Sequence, residues 1–316
     1  MKNPILLESS QTFLCSMRVV LTNLSNKLYE RSRFRLNDSA LKHGIKEINS
    51  FDFEDLKSTS FYQENQKLLG QPKGIGYWSW KPYIILETMK SLSENDVVIY
   101  SDCGIEIIKD LGPLINICKN EAPVLLFANA NFKNKTWIKR DCFILMHCDS
   151  KEYWNGQHCD AAFSLFRKSK ESRQFLHEWL HYCCVEQIIS SSPNGCGKKN
   201  IFGFLEHRWD QSILSLLAIK HRIEFYRMPT QFGNHYKILQ YRTVGEFNCI
   251  NQLNQKQVSF YSKNPSLNSS YYQLLNHHRS KNNSDIETSK KIMDKNRFIG
   301  IVKSKINRVV HLIGRA

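Results

Sequence analysis

Short apolar runs alternate with amphipathic segments along the first three quarters of the chain. Val19, Val20 and Leu21 mark a central strand within residues 17–24, and residues 45–51, 97–100, 124–128 and 157–166 read as further strands. Between them, helical spacing predicts helices over residues 29–43, 55–69, 81–92, 110–118 and 173–185, the first stopped by Gly44. Ile213, Leu216, Leu217 and Ile219 give residues 204–220 an amphipathic helix in their back half. Residues 190–200, rich in Ser, Gly and Asn, read as a loop. Elements alternating in this way predict an α/β domain.

The pattern is most informative over residues 74–106. A loop containing Gly74, Gly76, Tyr77, Trp78 and Trp80 precedes Lys81-Pro82, which opens a helix with Tyr83, Ile84, Leu86, Met89 and Leu92 at helical spacing. Asn95-Asp96 then turns the chain into Val97, Val98, Ile99 and Tyr100, a run of the kind buried on both faces of a parallel sheet. Asp102 follows at the strand's carboxyl end, where open α/β sheets hold metals and polar substrates. A second chemical stretch opens the helix of residues 204–220. Glu206, His207, Arg208, Asp210 and Gln211 crowd its expected first turn, whereas capping alone requires one such group. Arg31, Arg33 and Arg35 fit either a solvated helix face or a bidentate clamp on a diphosphate.

Composition narrows the setting. With 316 residues the chain buries a sizeable core, and a formal charge of +15 predicts an anionic partner: nucleic acid, a membrane surface or a phosphorylated substrate. Its ten cysteines include no CxxC pair, so they read as buried thiols and not as a disulfide or zinc framework. The amino-terminal apolar stretch is interrupted by Glu8, Ser9, Ser10 and Gln11, too broken for a signal peptide or a spanning helix, which predicts a cytoplasmic location. Residues 245–289 are rich in Asn, Gln, Ser and Lys and read as an extended or partly disordered connector. In residues 290–316, Ile292, Ile299, Val302, Ile306, Val309 and Ile313 mark one face of a helix carrying eight Lys/Arg against Asp294. The expected division is an α/β domain at 1–244, a partly disordered polar connector at 245–289 and a basic amphipathic helix at 290–316. Such a helix binds an anionic membrane surface or packs on the domain or a second subunit.

Four stretches together carry a family resemblance: RSRFRLNDSA from Arg31, GIGYWSWKPYIIL from Gly74, VVIYSDCG from Val97 and EHRWDQSILSLL from Glu206. In their order and spacing the chain, from about Met17 to Tyr241, resembles bacterial glycosyltransferases of the GT-A fold that build capsule, O-antigen and lipo-oligosaccharide chains. The resemblance implies a mixed, mostly parallel central sheet flanked by helices, and transfer of a sugar from a nucleotide-diphosphate sugar to a glycan or lipid-linked acceptor. It further implies a divalent cation, Mn²⁺ or Mg²⁺, held by an Asp-x-Asp sequence against the donor diphosphate. Here Asp102-Cys103-Gly104 keeps the first Asp and lacks the second, with Glu106 as the substitute and His235 as a carboxyl-terminal metal ligand.

The donor-contacting residues so implied are Arg31, Arg35, Trp78, Lys81, Asp102 and His207. Asp210 and Gln211 are similar to the Asp-Gln of retaining members, and Asp210 equally suits the general base of an inverting one. A lipid-linked acceptor would place the enzyme on the inner face of the membrane. Two other readings compete: a non-catalytic relative that binds glycans or partners, motivated by the missing second Asp, and a nucleic-acid-binding protein, motivated by charge. Against the latter, nearly half of the net charge sits in residues 290–316 and no nucleic-acid-binding signature is visible, so no nucleic acid partner is expected.

Overall fold

The computed structural model describes residues 17–233, 246–250, 257–261, 269 and 271–278. Within these the strands are β1 (Val19–Ser25), β2 (Glu47–Asp52), β3 (Val97–Ser101), β4 (Ile105–Ile107), β5 (Val124–Lys133), β6 (Gln157–Arg167), β7 (Phe225–Tyr226), β8 (Glu246–Ile250), β9 (Gln257–Tyr261) and β10 (Leu275–His277). Six of them form one sheet in the order β2-β1-β3-β6-β5-β7. Only β6 runs against the rest, pairing antiparallel with β3 and β5. The expected mixed, mostly parallel sheet flanked by helices is present.

Period-two alternation sends successive side chains of each strand to opposite faces of the sheet. Val98 and Tyr100 of β3 join Leu126 and Ala128 of β5 in one core, beneath the helices Lys81–Lys90, Lys170–Cys183 and Trp209–Lys220. Val97 and Ile99 join Leu125 and Phe127 in the other core, beneath Glu30–Lys42 and Gly112–Asn120. Both faces of β3 are covered, which is why its sequence is continuously apolar.

Several boundaries differ from the sequence reading. The helix expected over residues 55–69 is broken into Phe53–Lys57, Ser60–Glu64 and Gln66–Leu69. Thr59 causes the first break, because its hydroxyl accepts from Tyr62 N and starts a new helix there. The helix expected from residue 204 begins at Trp209, so Glu206 and His207 precede it. Nor is it amphipathic: residues 212–218 are all buried, since the helix lies between the sheet and Lys170–Cys183. The polar connector of the sequence reading contains a hairpin, β8–β9, and a segment built into the domain. There, β10 pairs antiparallel with β4, and Tyr271, Leu274 and Leu275 are buried in the second core. Residues 290–316 lie outside the described residues.

Eight cysteines, from Cys103 to Cys196, are free thiols, and six of them are buried, as the lack of CxxC spacing implies. Among the described residues no helix is long and apolar enough to cross a membrane.

The loop before Lys81 is the least ordinary backbone among the described residues. Gly74, Ile75, Gly76, Tyr77 and Trp78 all have positive φ, at 58°, 52°, 78°, 58° and 60°, and make a left-handed turn. Each non-glycine residue held this way costs roughly 1–2 kcal/mol. The turn is closed by Tyr77 N to Lys73 O at 2.7 Å and Gly76 N to Gln71 O at 2.8 Å. A Cβ on Gly76 would meet Leu68 O and Leu69 Cα, each at 2.8 Å, whereas one on Gly197, also at positive φ, would meet nothing. Gly76→Ala should therefore lose about 2–4 kcal/mol of stability and Gly197→Ala about 1 kcal/mol, as read by urea denaturation. Equal losses would show that the close contact at Gly76 relaxes freely.

Candidate active site

A cleft of about 620 Å³ opens at the carboxyl edge of the sheet. Leu24 and Ser25 end β1, Asp102 follows β3, and Asp160 to Ala162 come from β6, which enters this edge in the opposite direction. Lys81 sits in the cleft floor. It is the first residue of its helix, 3% exposed, and its ammonium donates to Ala161 O at 3.0 Å. The same nitrogen is 3.1 Å from Asp102 Oδ1 and 3.1 Å from Asp210 Oδ2. Two carboxylates far apart in sequence thus meet on one buried cation.

Asp102 is fixed by β3 itself. Its amide donates to Ala162 O at 2.7 Å, continuing the β3–β6 pairing, and its Oδ1 accepts the Tyr100 hydroxyl at 2.5 Å. The side chain is 30% exposed, on the cleft surface. Burial, with the Asp102 charge beside it, pushes the Tyr100 hydroxyl well above its usual range, so it stays a donor.

Asp210 lies in the first turn of Trp209–Lys220, as expected, but does not cap it; the cap position is Arg208. Its side chain instead points to Lys81, is 3% exposed, and at Oδ2 makes the ion pair without a well-directed hydrogen bond. Burial raises its carboxyl to about 7, with Asp102 adding to the rise and Lys81 opposing it. Burial pulls the Lys81 ammonium the other way from its two acids, and the acids win, so its pKa rises and the lysine stays charged.

Aromatic side chains form one wall. Trp78 packs on Trp209 with ring centroids 5.2 Å apart, and Trp209 has a φ of 47° at the start of its helix. Lys73 stands 3.9 Å over the Trp209 ring, and Arg208 lies 4.7 Å over Trp137. Arg208 lines the cleft and is only loosely held by Glu206 at 3.4 Å.

Of the residues expected from sequence, Trp78, Lys81, Asp102, Asp210 and Gln211 line the cleft. Gln211 donates its amide to Cys159 O at 2.6 Å. Arg31, Arg35 and His207 are not among the lining residues. Arg31 is exposed on the surface of Glu30–Lys42. Arg35 is paired with Glu106 at 2.5 Å, and Glu106 is not among the cleft-lining residues. Arg33 turns to Asp52 instead, so the arginines form no shared clamp. His207 is buried in the core, accepts from Lys139 N at 3.3 Å, and is held neutral by burial, its pKa pushed down to about 3. His235 lies outside the described residues.

The sequence reading gave no role to Asp160, Asn129, Trp209 or His277, which also line the cleft. Asp160 carried a signal as the single carboxylate of β6; its Oδ1 accepts Ala162 N at 2.6 Å. His277 had none, because β10 is polar in sequence and is placed by pairing with β4. A divalent cation would need several acidic or histidine ligands, and no group of three or more His, Cys, Asp or Glu converges in this way among the described residues.

No protein-family model and no curated protein matches the sequence. Among solved structures the chain is similar to the apo form of WbbM, a bifunctional glycosyltransferase, at 13% identity and a TM-score of 0.44, over 89% of this chain and 47% of that one. The chain thus spans about half of the WbbM chain. It is also similar to apo mouse xyloside xylosyltransferase 1, at 10% identity and a TM-score of 0.41, over 83% of this chain and 97% of that one.

The Asp210 carboxyl sets a pH dependence of stability. Its folded pKa of about 7 lies above the ordinary 3.8, so the folded state holds a proton that the unfolded state releases. That contribution is complete below pH 4 and is lost as pH rises through 7, amounting to about 4 kcal/mol at most. Urea denaturation from pH 4 to 8 should show wild-type stability falling relative to Asp210→Asn across this window. Parallel curves would mean that Asp210 titrates normally.

Proposed function

We propose that the protein is a glycosyltransferase that moves a sugar from a nucleotide-diphosphate sugar to a hydroxyl of a glycan or lipid-linked acceptor. One observation carries this reading: Asp102, at a strand end, and Asp210, at a helix start, converge on Lys81 in the floor of a cleft of nucleotide-sugar size. The sequence resemblance supports the same assignment.

In such a transfer the bond from the anomeric carbon to the diphosphate oxygen breaks, and a bond to the acceptor oxygen forms. The acceptor gives up its proton and the diphosphate takes the electron pair. Arg208, at the cleft surface, is placed to meet the charge that develops on the leaving group. The Trp78–Trp209 wall offers apolar faces to a base or sugar ring. Asp102 exposes an oxygen edge suited to donor hydroxyls. Asp210, with a pKa near 7, is partly ionised at neutral pH, the range in which a general base works best. Gln211, next to it in the same turn, orients the Cys159 carbonyl edge of the site.

Synthesis of cell-surface polysaccharide is the setting that the resemblance favours, and the basic apolar-faced stretch of residues 290–316 supports attachment to an anionic membrane surface. Removing residues 285–316 should abolish salt-sensitive binding to anionic vesicles while transfer to a short soluble acceptor continues. Unchanged vesicle binding would remove the membrane assignment.

Thermal-shift screening with UDP-, GDP- and CMP-sugars should identify a donor that raises the melting temperature. With that donor, Asp102→Asn and Asp210→Asn should each reduce turnover by about 100-fold or more while circular dichroism is unchanged. Near-normal turnover in either variant would remove that residue from the chemistry. A folded protein that neither binds nor hydrolyses any donor would favour the glycan-binding alternative.

A further inference from the structure

Lys81 has no local reason to be where it is. A cation at the first position of a helix faces the positive end of the helix dipole, and burying an ammonium costs several kcal/mol. Only the carboxylates of Asp102 and Asp210 offset both penalties.

The ammonium has three donors, and three acceptors surround it: Ala161 O at 3.0 Å, Asp102 Oδ1 at 3.1 Å and Asp210 Oδ2 at 3.1 Å. One of these contacts is a hydrogen bond, to Ala161 O, and two are ion pairs that face the ammonium toward the acids. Asp102 Oδ1 is further occupied by the Tyr100 hydroxyl at 2.5 Å. A divalent ion bridging these two carboxylates would have to sit where Lys81 Nζ already is, and an ion beside it would meet a like charge at short range and compete with it for the same acids.

We propose that Lys81 is the resident cation of this site, taking the place between Asp102 and Asp210 that a divalent metal would need, so that the donor binds without one. The donor part of this statement rests on the glycosyltransferase reading; the cation part does not. Lys81 is a positioning residue here: it holds both acids in one geometry and touches no substrate atom. The positive charge offered to the diphosphate then comes from Arg208, which lines the cleft and is paired with Glu206 at 3.4 Å.

Two measurements on the full chain test this. Titration with MnCl₂, followed by electron paramagnetic resonance, should show no stoichiometric site in the wild type, and Lys81→Met should gain one that a further Asp102→Asn change removes. Donor hydrolysis, read as release of nucleoside diphosphate, should change by less than about twofold on adding EDTA, and should fall by about 100-fold in Lys81→Met. Wild-type binding of one Mn²⁺ that Asp102→Asn abolishes would overturn the proposal. So would turnover that EDTA abolishes and Mn²⁺ restores. If Lys81→Met does not fold, the wild-type titration decides alone. If no donor is hydrolysed with or without Mn²⁺, the glycosyltransferase reading fails, while the titration still decides the role of Lys81.

Discussion

The buried ammonium of Lys81 ties together four pieces of chain that the fold would otherwise only place near one another. Its helix, the end of β3, the β6 carbonyl of Ala161 and the first turn of Trp209–Lys220 all meet at one nitrogen. An ion pair of this kind adds little net stability when replaced as a whole, but removing one member leaves an uncompensated charge and costs about 3–5 kcal/mol. The arrangement therefore acts as a constraint: any packing that separates these elements strands a charge in the core. Asp102 and Asp210 inherit a fixed separation from it. Preorganised acids of this kind lower the reorganisation needed during a reaction.

Delivering Lys81 to that point requires an unusual path. The five left-handed residues from Gly74 to Trp78 reverse the chain tightly enough for Trp78 to reach Trp209 while Lys81 enters the floor behind them. Trp80 helps to hold the turn by donating its indole N–H to Gly74 O at 3.0 Å. Ile75 is β-branched and least suited to such backbone, so the turn persists only because its surroundings over-determine it. Trp209, the other member of the aromatic wall, is also at positive φ. Both members of the Trp78–Trp209 pair are thus held in left-handed backbone beside the cleft.

What was legible in the sequence follows from what each signal reports. Periodicity reports burial, and it located β1, β3, β6 and the helix from Lys81. The rule that ligands lie beyond strand ends then located Asp102. Polar crowding before Ile213 was a weaker signal, because it does not say which way a side chain turns. His207 and Asp210 are three residues apart, yet one is a neutral core imidazole and the other a cleft carboxylate. Arg31 and Arg35 lie outside the cleft lining for a similar reason: a charged residue on a helix is equally consistent with solvent, an ion pair or a ligand, and Arg35 pairs with Glu106. β10 was illegible because its place is set by pairing with β4, a long-range contact that composition does not report.

Buried polar residues outside the cleft have a physical task in holding its wall. Asp141 is fully buried and accepts the amides of Gly195 at 2.7 Å and Cys196 at 2.9 Å; burial pushes its carboxyl up, and the hydrogen bonds from Cys196, Gln187 and Gly195 outweigh that to bring it down to about 2. Lys139 donates to Ser192 O at 3.2 Å, and its own amide is bonded to His207. These contacts fold the loop of residues 190–200 against the core. Ser191 in that loop accepts the Trp209 indole N–H at 2.9 Å. The polar cluster around Asp141 is therefore joined, through one loop and one hydroxyl, to the ring that faces Trp78. A change at Asp141 would therefore reach the cleft through Ser191 and Trp209, the residue that precedes Asp210.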